Sequence, residues 1–124
     1  MIAVDDRTSI GSLVSSGVLR ELSDQLGQDI CHAFVGNYID MWDGRYSRLV
    51  SVVDNFDYDE AMDVVLSIKI SAQMVGAEEL SRLARGAQRM VRSSDVAGLA
   101  SMLELMARCG EETVEQLRGT LHRL

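Results

Sequence analysis

Proline is absent from the 124-residue chain. An interior proline deletes a helical hydrogen bond and clashes with the preceding turn, so its absence leaves long uninterrupted helices open. Lysine is nearly absent: Lys69 stands alone, and the other eleven cationic side chains are arginines. Histidine is limited to His32 and His122, and cysteine to Cys31 and Cys109. The two cysteines have no metal spacing and no companion ligands. Both stand among apolar residues, which reads as buried thiols rather than a metal site or a disulfide. There is no phosphate-cradling glycine loop, no pair of metal-binding histidines and no nucleophile elbow, so no metal or cofactor is expected. No apolar run approaches the roughly eighteen residues a membrane span needs. The opening MIAVDDRTS lacks the basic flank and apolar block of a secretory leader. A cytoplasmic protein with no membrane segment is the expectation.

What is present suits one domain with a real core. Hydrophobic residues make up 47% and charged residues 25%, an ordinary balance for a globular chain. The formal charge of −7 argues against nucleic acid, whose binders carry positive patches.

Residues 1–15 read as an N-terminal arm and 16–124 as the folded domain. Ser15-Ser16-Gly17 opens a first helix over about 16–26, with Leu19, Leu22 and Leu26 at helical spacing and Gly27 as its stop. Asp29 favours the next N-terminus. Cys31, Phe34, Val35, Tyr38, Met41 and Trp42 then recur every three or four residues, and the period resumes at Tyr46, Leu49, Val50 and Val53. This reads as one long helix with a weak point at Asp43-Gly44. Asp54-Asn55-Phe56 makes a turn. Asp57 and Glu60 have the spacing of a capping box at the start of a helix over about 58–75. Gly76 ends or kinks it. A helix over 77–92 follows, with acids in its first turn and Leu80, Leu83, Ala84, Ala87, Met90 and Val91 as its buried stripe. Ser94 or Asp95 caps the last helix, whose stripe runs through Leu99, Leu103, Met106, Gly110, Val114, Leu117 and Leu121. Gly110 has two readings of equal weight, a point of close helix packing or a tolerated small residue. Short loops between these helices predict an all-α, antiparallel up-and-down four-helix bundle with a short additional N-terminal helix.

The stretch around which the chain is organised is VLSIKISAQMVGA, residues 65–77. Ala61, Val65, Ile68, Ala72 and Val75 share one helical face, while Leu66 and Ile70 point almost the opposite way. It resembles the core motif of histidine-containing phosphotransfer (HPt) domains, the helical relay modules of two-component signalling. That pattern runs Ala-His-x-Leu-Lys-Gly-Ser-Ala, then three residues, then Gly-Ala. Here Lys69, Ser71, Ala72, Gly76 and Ala77 fall in register. Leu66 holds the place of the phosphorylated histidine, and Ile70 that of the glycine that lets a partner's backbone approach. The order of helices from about residue 16 onward also fits. The resemblance implies a phosphorelay module that has lost its nucleophile. Leucine has no lone pair with which to attack phosphorus, so no catalytic residue carries over.

Met62, Leu66 and Ile70, each four apart, stack into an apolar ridge. With Lys69 and Gln73 they form the candidate partner-binding face, together with Arg82, Arg85 and Arg89 on the next helix. Arg82, Arg85, Arg89 and Arg92 share the face opposite that helix's buried stripe. They serve either to steer an acidic partner or simply as a solvated face. The ridge either contacts a response-regulator receiver domain, a histidine kinase or a second copy of this chain, or is covered by the N-terminal arm or first helix. Two alternatives stand beside the binding module: an active phosphotransfer protein using His32 or another residue, and a generic helical assembly bundle.

Overall fold

The computed structural model describes residues 13–123. Most of the arm expected over residues 1–15 therefore lies outside the described residues. The rest is all-helical: α1 (Ser16–Leu26), α2 (Gln28–Asp54), α3 (Tyr58–Met74), α4 (Glu78–Arg92) and α5 (Val96–Arg123). Helix α3 packs on α4, α4 on α5, α5 on α2 and α2 on α3, while α1 lies on α2. No helix among the described residues is long and apolar enough to cross a membrane.

Helix ends fall where local chemistry puts them. The Ser15 hydroxyl accepts the Val18 N–H at 3.3 Å and caps α1. Gly27, at φ +92°, closes α1 through its N–H to the Ser23 carbonyl and leads directly into α2. The Asp57 carboxylate accepts the Glu60 N–H at 3.2 Å, which is one arm of the expected box. The reciprocal arm is replaced by an ion pair between Glu60 and Arg48 of α2. Asp95, not Ser94, supplies the cap of α5, accepting the Gly98 N–H at 2.9 Å. Replacing Asp57 by Ala should lower stability by about 1 kcal/mol, the usual worth of an N-cap, read from urea midpoints at unchanged slope.

Helix α2 runs unbroken for 27 residues, so Asp43-Gly44 is no break. Residues on either side hold it down. Trp42 is buried, and the Tyr46 hydroxyl donates to the Leu103 carbonyl of α5 at 2.9 Å. The stripe of α2 differs from its sequence pattern at one place. Met41 is 42% exposed and Ile39 is buried in its stead. Met41 lies on the flank of the apolar arc, where its sulfur faces the Asn37 amide at 3.5 Å instead of the core.

The core is one cluster drawn from all five helices. Ala61, Val65, Ile68, Ala72 and Val75 of the central stretch are all sealed within it, as are Leu80, Leu99, Met106 and Leu117. Both cysteines are free and buried. Gly110 is resolved in favour of close packing: a methyl at its Cα would enter the Trp42 indole, so α5 crosses α2 there nearly backbone to ring. At the other end of α3, Gly76 takes φ +78° and its carbonyl accepts the Ser15 N–H at 2.7 Å. Val14 bridges Ala77 beside it, tying the start of α1 to the turn between α3 and α4.

Candidate functional site

The outer face of α3 exists because its inner face is saturated. Helical geometry puts Leu66 and Ile70 opposite the buried row of Val65, Ile68 and Ala72. Leu66 is half-buried and Ile70 is 52% exposed. The ridge is therefore graded, not uniform. Met62 at its start is half-buried and packs against the core, Leu66 is intermediate, and Ile70 stands in water. Met74, one turn beyond Ile70, is 49% exposed and prolongs the ridge. The same i, i+4 step that picks out Leu66 and Ile70 would have found it.

The polar members are placed as follows. Lys69 is half-buried, and its ammonium donates to the Gln88 side-chain oxygen of α4 at 3.3 Å. This contact holds the only lysine at the α3–α4 seam. Gln88 is nineteen residues away and no spacing rule points to it. Gln73 is exposed, and it lines a cleft shared with Arg85, Val18, Glu78 and Ser81. Arg82 is set apart from these. It pairs with Glu79 of its own helix, Nε to Oε1 at 3.0 Å, and the bonded guanidinium holds the Glu79 carboxyl below the usual carboxylate range. Arg85, Arg89 and Arg92 are exposed on α4, opposite its buried stripe. The structure thus brings Lys69, Gln73 and Arg85 to one seam between α3 and α4. It leaves Arg82 toward α5, whose Cys109 thiol feels its charge and is pushed up mainly by burial.

On the other flank of α3, Ser71 and Met74 share a small hollow with Phe34, Asn37, Tyr38 and Arg45 of α2. Here too an apolar rim surrounds polar groups. The Tyr38 hydroxyl is buried without a partner among the described residues, and burial pushes its pKa well up. His32 and His122 are exposed on α2 and α5, and neither belongs to the outer face of α3. Of the carboxylates at the start of α3, Asp57 caps the helix and Glu60 pairs with Arg48, and no group of acidic, His and Cys side chains among the described residues is arranged to hold a metal ion.

Chemically, this face offers apolar contact at Leu66, Ile70 and Met74, one cation held by an amide, and further cations on the adjoining helix. Comparison with protein-family models, with curated proteins and with solved structures gives no match.

Proposed function

We propose that the chain is an HPt-like four-helix bundle, with α1 as an added leading helix, that docks a two-component signalling partner without carrying phosphate. The partner is a response-regulator receiver domain or a histidine kinase, and the docking face is the outer face of α3 with the adjoining arginines of α4. The observation that carries the reading is Leu66. It stands at the position of the family's phosphohistidine, and it is half-buried on the outer face of α3 while the row behind it is sealed in the core. The closed circuit α2–α3–α4–α5 is compatible with the four-helix topology the motif implies.

Replacing the imidazole by leucine and the approach glycine by isoleucine removes the chemistry and adds apolar area. Fully covering a Leu or Ile is worth about 1.5–3 kcal/mol, enough for a tenfold change in affinity or more. Leu66→Asp should keep its helical circular dichroism and lose at least tenfold in affinity for a receiver or kinase partner captured from the native cytoplasm. A folded Leu66→Asp protein whose partner affinities are all unchanged would remove the ridge from the interface. Steering by Arg85 and Arg89 should appear as an association rate that falls with added salt.

The competing reading of an active carrier is separated by phosphate itself. Incubated with a phosphorylated receiver, the natural chain should take up no acid-labile label, and Leu66→His combined with Ile70→Gly should gain it. Label on the natural chain would identify a carrier using another residue. A second copy of this chain is favoured as the partner only by the exposed row of Ile70 and Met74, and concentration-dependent sedimentation that Ile70→Asp abolishes would establish it.

A further inference from the structure

The turn between α2 and α3 carries an aromatic residue where the backbone favours glycine. The Asp57 N–H donates to the Val52 carbonyl at 2.9 Å and the Phe56 N–H to the Val53 carbonyl at 3.0 Å, a Schellman closure of α2. That closure holds Phe56 at φ +56°, a left-handed conformation strained for a bulky side chain. The matching closure after α4 puts a small residue there, Ser94 at φ +55°. Burial does not offset the strain at Phe56. Its ring meets Tyr58 edge-on at 6.4 Å between centroids, yet Phe56 stays 68% exposed. Asp54, Asp57 and Asp59 flank it in the chain, all exposed, and none makes an ion pair among the described residues.

A seat of matching size and charge lies elsewhere on the molecule. The hollow between α2 and α3 has a volume of about 150 Å³ and is lined by Phe34, Asn37, Tyr38, Arg45, Ser71 and Met74. That is about the size of a void that holds a benzene ring. The lining carries one cation and no carboxylate. Arg45 rests on the Met41 sulfur at 3.8 Å and makes no ion pair among the described residues. Phe56 cannot fill the hollow of its own chain, because Arg45, at the near edge, stands about 16 Å back along the unbroken α2 at 1.5 Å per residue.

We propose that the chain associates head to tail, the Phe56 ring of one copy seated in the α2–α3 hollow of the next, with Asp54 and Asp59 facing Arg45. Knob and hollow occupy different places on the fold, so the contact is heterologous and builds an open row of copies instead of a closed dimer. The ring is a rigid anchor of the kind that dominates protein contacts, and the opposed charges orient it. This contact is separate from the docking of a signalling partner, which rests on Leu66 and Ile70.

Sedimentation of the full chain is the test. The average mass should rise over concentrations up to about 1 mM, the range of weak association, without levelling off at two chains. Phe56→Gly should keep or raise the urea midpoint, since glycine suits φ +56°, and should weaken association at least tenfold. Met74→Glu, on the exposed rim of the hollow, should weaken association as much. An equimolar mixture of these two variants should form a 1:1 pair and nothing larger, because one knob and one intact hollow remain between them. Ile70→Asp should associate as the natural chain does, since Ile70 lies outside the hollow. A mass that stays at one chain or stops at two, association that survives Phe56→Gly, a mixture that stays monomeric, or loss of association in Ile70→Asp would each overturn the proposal.

Discussion

Gly110→Ala should lower stability by about 3 kcal/mol, although alanine is the better helix former by about 1 kcal/mol. The added methyl would fall inside the Trp42 indole at Cζ2 and Cε2, and would sit 2.8 Å from Cη2. That ring is not free to retreat. Trp42 is 4% exposed and leans on Tyr46 at 5.8 Å between centroids, and Tyr46 is in turn bonded to α5. An indole is rigid and turns about only two side-chain bonds, so relief has to come from moving α5 away from α2, which opens voids along the whole contact. Gly86→Ala is the control. Its methyl would meet the terminal carbon of Met102 at 2.9 Å, the far end of a flexible side chain. There the gain in helix propensity should roughly offset the crowding. Urea titrations followed by circular dichroism would separate the two, and equal midpoints for both variants would contradict the close crossing at Gly110.

Gly76→Ala should cost about as much, for a different reason. At φ +78° a side chain pays about 1–2 kcal/mol in backbone strain alone. Its methyl would also stand 2.9 Å from the Ser15 carbonyl oxygen and 3.1 Å from the Val18 Cβ. The first of these is backbone, and it is fixed by the 2.7 Å bond from the Ser15 N–H to the Gly76 carbonyl. Gly27→Ala separates strain from collision, because Gly27 has φ +92° but open space around its Cα. At ψ 153° Gly27 occupies a region almost closed to side chains, so Gly27→Ala should lose about 2 kcal/mol from strain alone, and Gly76→Ala, with strain and collision together, about 3 kcal/mol. A Gly76→Ala variant that matches Gly27→Ala would mean that the start of α1 gives way without resistance.

Most of the helical layout was legible in the amino acids because apolar period and caps agree. Ser15, Gly27, Asp57, Gly76 and Asp95 each mark a helix end found in the structure. The buried row of α3 was legible for the same reason, since Ala61, Val65, Ile68, Ala72 and Val75 obey one period. What escaped depends on contacts between helices. Gly110 looked the same as any interior glycine until Trp42, far away in the chain, was set against it. The grading of the ridge escaped too: period alone groups Met62 with Ile70, and only packing shows that Met62 lies against the core. Lys69 read as part of the partner-binding face of α3, and its bond to Gln88 on α4 could not be read from spacing. Ser81 carried no signal, because a serine beside a buried stripe is usually a surface residue and its burial depends on α1 and α3 closing over it.

The chain's single tryptophan is also a built-in reporter. Trp42 is the only indole in the protein and it is sealed where α2 and α5 meet. Its emission should be blue and should redden only when that crossing loosens. A guest seated on α3 or against α4 would leave the colour of the fluorescence unchanged, whereas partial melting would not, so one optical measurement distinguishes occupancy from damage.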